Sequence, residues 1–280
     1  MRLHKGLSFA PERGLLLDAY VPDSTAWAIV LYLHGGGFLN GSRTETLAET
    51  LAQRLTPQGV ALVASDYRLR TPLSAFAPQE TTQIAAMQAR STGIGLTLAA
   101  RLCGPAMYAA MRDVSAAVQA LRAGLVPELH GLPVVCVGVS AGGIAALSTA
   151  YPPNGEKLAR PDAVLSIAGA MVQPWRLRPD GPPCVMLHGS LDRVIGPENP
   201  RLAAHRAQAR GANLRLVETG IPGHNTQTAA FLDGTDAQGR PYFDHLTDLL
   251  EQAALRNKPA TDCSYALDFT KALAYPRAQA

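Results

Sequence analysis

Short apolar runs alternate along the chain with stretches of helical spacing. Gly14 to Val21 reads as a strand, and Trp27 to Leu33 (WAIVLYL) as a second, buried one. Arg43 to Leu55 has helical spacing, with Leu47, Leu51 and Leu55 on one face. Val60 to Ser65 is the next strand. Leu132 to Val139 (LPVVCVGV) is an apolar run of the kind found in a central parallel strand, where both faces are covered. Ala163 to Ala168, Cys184 to Leu187 and Leu214 to Val217 are of the same type. Helical stretches are expected around Asp113 to Leu121 and over Ile144 to Ala150, Pro200 to Arg210 and Tyr242 to Leu255. Strands alternating with helices predict an α/β protein with a mostly parallel central sheet and helices on both faces. Pro78 to Tyr108 departs from this rhythm. It is expected to be partly helical, with a break near Gly93 and Gly95. Asp233 to Arg240 reads as a polar loop, and the tail from Asn257 to Ala280 has no strong periodicity. There is no internal repeat and no clear linker, so residues 1–280 are read as one domain.

Composition narrows the function classes. The 280 residues carry a net charge of only +3, and the arginines are spread without a dense run. Nothing resembles a nucleic-acid surface. No window approaches the roughly 18 uninterrupted apolar residues of a membrane span, and Met1 to Tyr20 does not read as a secretory leader. A soluble cytoplasmic protein is the expectation. The four cysteines, Cys103, Cys136, Cys184 and Cys263, match no zinc or redox spacing.

Four motifs carry chemistry. Gly138-Val139-Ser140-Ala141-Gly142 follows the best strand in the chain and precedes a helix. That is the context of a nucleophile elbow, whose turn is too tight for bulk at its flanks. His34-Gly35-Gly36-Gly37-Phe38 follows WAIVLYL. Attack by Ser140 on a carbonyl creates a negative oxygen, and glycines let main-chain N–H groups approach it; Gly36, Gly37 and Ala141 are the candidate donors. A phosphate-binding turn fits less well, because no GxxxxGK[ST] follows. Asp192, in HGSLDRV, lies after the strand Cys184 to Leu187, at the carboxyl edge where open α/β sheets place their sites. Asp162 precedes its strand, Glu218 lies close to His224, and Glu198 starts a helix. His224, in IPGHN, lies after the expected last strand, where it can take the Ser140 proton. His34 is read as structural and His188 as a support of the Asp192 loop. His4, His130, His205 and His245 are read as solvated.

Taken together, HGGGF, Asp66-Tyr67-Arg68-Leu69, GVSAG, HGSLDRV and PGHN resemble the α/β-hydrolase superfamily. Within it the chain looks like the hormone-sensitive-lipase-like carboxylesterases and related short-chain esterases, from about Gly14 to Leu255. The resemblance implies an α/β-hydrolase fold with a helical insertion after the fourth strand. It implies hydrolysis of small-molecule carboxylic esters, of short to medium acyl chain, through an acyl-enzyme without metal or cofactor. It also implies Ser140, Asp192 and His224 as catalytic residues and Gly36, Gly37 and Ala141 as oxyanion donors. A homodimer is left open. The same groups would serve an amidase, lactonase or acyltransferase, and a non-catalytic ligand-binding protein is the alternative from another class. Three departures stand out. The segment before HGGG and the link from Ala168 to Cys184 are short. DYRL continues as Arg70-Thr71-Pro72 instead of Ala-Pro-Glu. Residues 78–108 are extra. They are expected to form a lid or acyl-pocket wall using Ile84, Met87, Ile94, Leu96, Leu98 and Met107, or else a surface or oligomer-contact insertion.

Overall fold

Residues 1–257 are described by a computed structural model. Its centre is set by strands whose residues are nearly all buried. These are β3 (Ala28–Leu33), β4 (Val60–Ser65), β5 (Val134–Val139), β6 (Ala163–Ile167) and β7 (Cys184–Gly189). With β1 (Arg2–Ala10), β2 (Leu15–Val21) and β8 (Leu214–Thr219) they form an eight-stranded sheet in the order β1-β2-β4-β3-β5-β6-β7-β8. From β4 to β8 every pairing is parallel, while β2 runs antiparallel to both β1 and β4.

Strand periodicity then sorts the side chains into two layers. Ile29, Leu31 and Leu33 face a core shared with α3 (Pro105–Arg122), α4 (Ala141–Ala150) and α5 (Glu198–Ala209). Ala28, Val30 and Tyr32 face the opposite core, built with α1 (Thr46–Leu55), α6 (Gln227–Asp233) and α7 (Asp244–Arg256). Parallel strands buried on both faces need no polar alternation, which is why β3 to β7 read as continuous apolar runs.

Two elements lie outside the expected pattern. β1 is an edge strand with most of its residues exposed. It joins β2 through the turn Pro11–Gly14, where Gly14 adopts φ 67°. α6 is a seven-residue helix following His224. The extra segment does contain a helix, α2 (Pro78–Gly93), ending at the expected break, with Gly95 at φ 96°. The helix expected around Asp113 begins earlier, at Pro105, whose missing N–H costs nothing in a first turn. No helix among the described residues is long and apolar enough to cross a membrane. Cys263 and the tail beyond Asn257 lie outside the described residues.

Candidate active site

Ser140 occupies the turn between β5 and α4 with φ 50° and ψ −113°, a conformation disfavoured for any residue with a Cβ. The surroundings enforce it. Ser140 N–H donates to Ile167 O at 2.7 Å, and Ser140 O accepts from Ile144 N–H at 3.0 Å. A Cβ on Gly138 would run into the Gly142 main chain, and one on Gly142 into the carbonyls of Leu33 and His34. The sharp turn therefore depends on both glycines, and it leaves the Ser140 hydroxyl at the carboxyl edge of the sheet.

Two other loops at that edge bring partners to the hydroxyl. His224 follows β8, and its Nε2 lies 2.9 Å from Ser140 Oγ. Its Nδ1 lies 2.6 Å from Asp192 Oδ2. With the ring proton on Nδ1, the imidazole donates to the carboxylate and accepts from the serine hydroxyl. Asp192, only 3% exposed, uses its other oxygen to accept from Val194 N–H at 2.8 Å and Ile195 N–H at 3.1 Å. Burial pushes the Asp192 carboxyl up, but hydrogen bonds from His224 and from these two amides outweigh it and hold the group below its ordinary value. Buried His188 supports the same loop. Its Nε2 lies 2.7 Å from Ile195 O and 3.5 Å from Asp192 Oδ2, and its Nδ1 lies 3.2 Å from Gly169 O. Burial, more than any neighbour, lowers its affinity for a second proton.

The glycine loop closes the other side. His34 is buried and stacks on Tyr67 with ring centroids 4.2 Å apart, and Tyr67 O–H donates to His34 O at 2.7 Å. His34 is thus a structural pillar. Gly36 has φ 100° and Gly37 has φ 63°, and a Cβ on Gly36 would strike the Asn40 carbonyl. Among the described residues neither the Gly36 nor the Gly37 N–H donates a hydrogen bond within the protein. Ala141 opens α4, so its N–H has no partner one turn earlier in that helix. Gly35, Gly36, Gly37, Ser140 and His224 line one cleft of about 590 Å³. Among the described residues no three His, Cys, Asp or Glu side chains gather as metal ligands.

No protein-family profile matches the chain, and no curated protein matches it in sequence. Solved structures do match. The chain is similar to native esterase 2 of the planctomycete Thermogutta terrifontis, at 16% identity over 94% of each chain with a TM-score of 0.63. It is also similar to that enzyme phosphorylated by paraoxon, at 18% identity over 90% of this chain and 91% of the other, TM-score 0.59. With propionate bound, the values are 16% identity, 91% and 92% coverage, and a TM-score of 0.60. The chain has the α/β-hydrolase fold.

Within this fold the apolar side chains named for a lid or acyl-pocket wall pack away from the cleft. Ile84, Leu96, Leu98 and Met107 are buried in the protein interior, and Met87 and Ile94 pack against them. None of them lines the cleft; Arg101 and Leu102 do. The apolar residues of 94–107 are needed to cover the end of the main core, so they face inward. His245, expected to be solvated, is only 4% exposed, because it falls on the buried stripe of α7 with Leu246, Leu249 and Leu250. Its Nδ1 accepts from Arg215 Nη2 at 3.0 Å. The excluded acids are engaged elsewhere. Asp162 binds Arg122 and the Val134 N–H, Glu218 pairs with Arg201, and Glu198 sits in the first turn of α5.

The sequence reading missed Gln227. Fully buried, it donates through Nε2 to Ile221 O and Gly223 O, both at 2.8 Å, and accepts from Thr219 Oγ1 at 2.7 Å. It ties both arms of the His224 loop to the end of β8. Its position three residues after His224 was the only available signal, and a polar residue there reads equally well as surface.

Proposed function

We propose that the chain is a serine hydrolase that cleaves carboxylic esters through an acyl-enzyme. The observation that carries this reading is the continuous relay Ser140 Oγ–His224 Nε2, 2.9 Å, and His224 Nδ1–Asp192 Oδ2, 2.6 Å, built on a serine held at φ 50°.

In the cycle, His224 takes the Ser140 proton as Oγ attacks the ester carbonyl. The negative oxygen that forms is stabilised by the N–H groups of Gly36, Gly37 and Ala141. Each such donor contributes on the order of 3 kcal/mol at the transition state. His224, then cationic, is stabilised by the Asp192 carboxylate and gives its proton to the departing alcohol. A water deprotonated by His224 attacks the acyl group, and Ser140 leaves with the proton. The kinship in fold with an esterase seen with propionate bound, or phosphorylated by paraoxon, supports an acyl ester as the substrate class. The cleft volume of about 590 Å³ suits a small ester of short to medium chain.

The test is hydrolysis of p-nitrophenyl acetate, butyrate and octanoate by the parent and by Ser140→Ala. Turnover by the parent that disappears in the variant is expected. Equal rates from both proteins would defeat the reading.

A further inference from the structure

The cleft holds a cation that this cycle does not use. Arg101 lies in the short helical turn Ala100–Cys103 of the extra segment. The turn is fastened from several sides. Leu102 and Cys103 are buried, Leu102 N–H donates to Ala99 O at 2.9 Å, and Gln88 Nε2 donates to Ala100 O at 2.8 Å. Upstream, Thr97 N–H donates at 2.8 Å to Asn199 Oδ1. Buried Asn199 in turn donates to Gly196 O at 2.9 Å, next to the Asp192 loop. A segment so tied fixes the Arg101 main chain, and with it the region the exposed guanidinium can reach.

That place is the glycine loop. A Cβ built on Gly37 would lie 3.5 Å from both Nε and Nη2 of Arg101, and Arg101 lines the same cleft as Ser140 and His224. The arginines nearest the core have acids: Arg13 and Arg68 share Asp113, Arg43 binds Asp18 and Asp66, and Arg112 binds Glu80 and Glu156, whereas Arg70 bonds the Leu39 carbonyl and Arg90 stacks on Trp175. Among the described residues Arg101 has no ion pair and no hydrogen bond. Glu45 also lines the cleft, but it accepts from Tyr32 O–H at 3.1 Å and forms no ion pair with Arg101. The remaining wall is partly apolar, with Leu39, Leu47, Leu102 and Val194.

A guanidinium is permanently charged and matches a carboxylate with two parallel N–H donors. We propose that Arg101 selects ester substrates that carry a carboxylate, separated from the ester by an apolar spacer, and that the extra segment holds this guanidinium beside the glycine loop. The inference rests on the hydrolase reading and names its substrate class.

The carboxylate can sit on the acyl side or on the alcohol side, and paired esters separate the two. On the acyl side, monoethyl adipate is compared with ethyl hexanoate. On the alcohol side, 4-acetoxybenzoate is compared with 4-acetoxybenzamide. The readout is the ratio of kcat/KM, charged over neutral, within each protein, so a general loss of activity cancels. A charge-assisted pair shielded from water by the bound ester contributes about tenfold. The ratio in one of the two pairs should therefore fall about tenfold in Arg101→Gln, and further in Arg101→Glu. Ratios unchanged in both pairs would overturn the proposal, including the case where Arg101 merely helps the oxyanion and both esters slow equally. Adipate binding by calorimetry is an independent readout, expected to weaken about tenfold in Arg101→Gln. If no ester is turned over yet adipate binding depends on Arg101, the hydrolase reading fails and the anion site stands. If esters are cleaved but neither ratio nor binding moves, the site alone fails.

Discussion

Replacing Asp192 by asparagine changes a proton's position while leaving the volume of the side chain intact. The geometry fixes which way the new amide must face. Asp192 Oδ1 accepts two main-chain N–H groups, from Val194 and Ile195, and an NH2 there would oppose both donors. The carbonyl oxygen of the introduced amide therefore takes that side, and its NH2 faces His224 Nδ1, where the carboxylate stood at 2.6 Å. A donor facing Nδ1 moves the ring proton to Nε2, and Nε2–H cannot accept the Ser140 proton. The cationic ring formed in the reaction also loses its counter-charge. Loss of both functions costs about 10⁴ in kcat, or about 5.4 kcal/mol at about 1.36 kcal/mol per tenfold. The assay is steady-state hydrolysis of p-nitrophenyl butyrate, with thermal unfolding to show that the variant is folded. A folded Asp192→Asn protein within about tenfold of the parent would refute the assignment of the relay.

Three further outcomes follow from the same geometry. Gly36→Ala puts a Cβ against the Asn40 carbonyl at a φ of 100°, so the loop must shift: kcat should fall by about 10²–10³ and the urea midpoint should fall with it; unchanged kcat in the folded variant would remove the glycine loop from the oxyanion site. Asp113 is fully buried and accepts from Arg68 and Arg13, both partly exposed, so Asp113→Asn should cost about 2–3 kcal/mol in urea unfolding, and a loss under about 0.5 kcal/mol would contradict the pairing. The folded-state carboxyl of Asp192 is held low, so its stabilisation is complete above the ordinary aspartate value of about 3.9 and is lost as pH falls through the lower folded value. The acid limb of Tm against pH should accordingly be shallower in Asp192→Asn, and superimposable limbs would show that the group is not depressed.

The sheet was legible because burial on both faces leaves nothing but apolar residues in β3 to β7. The elbow was legible because a turn that tight admits glycine alone at its flanks. β1 escaped because an edge strand, largely exposed and interrupted at Gly6, lacks a clean alternation. α6 escaped because seven residues give barely two turns of periodicity. The extra segment illustrates the deeper limit. Leu96, Leu98 and Met107 are apolar whether they cover the core or wall a cleft, and only the packing of 94–107 against α3 and the sheet decides between them. For the same reason Arg101 was passed over. An arginine reads as solvated until its neighbours show that no acid meets it and that Gly37 lies beside it. Gln227 and Asn199 were invisible because hydrogen bonding to loop carbonyls leaves no pattern in sequence.

The central claim is that Ser140 is the group acylated during turnover. The direct test is incubation with paraoxon, followed by intact mass and peptide mapping, with p-nitrophenolate release measured in parallel. One diethylphosphoryl group per chain is expected, on Ser140, with stoichiometric p-nitrophenolate release, loss of ester hydrolysis and no adduct in Ser140→Ala. An active protein that forms no adduct, or one modified at another residue, would contradict the claim.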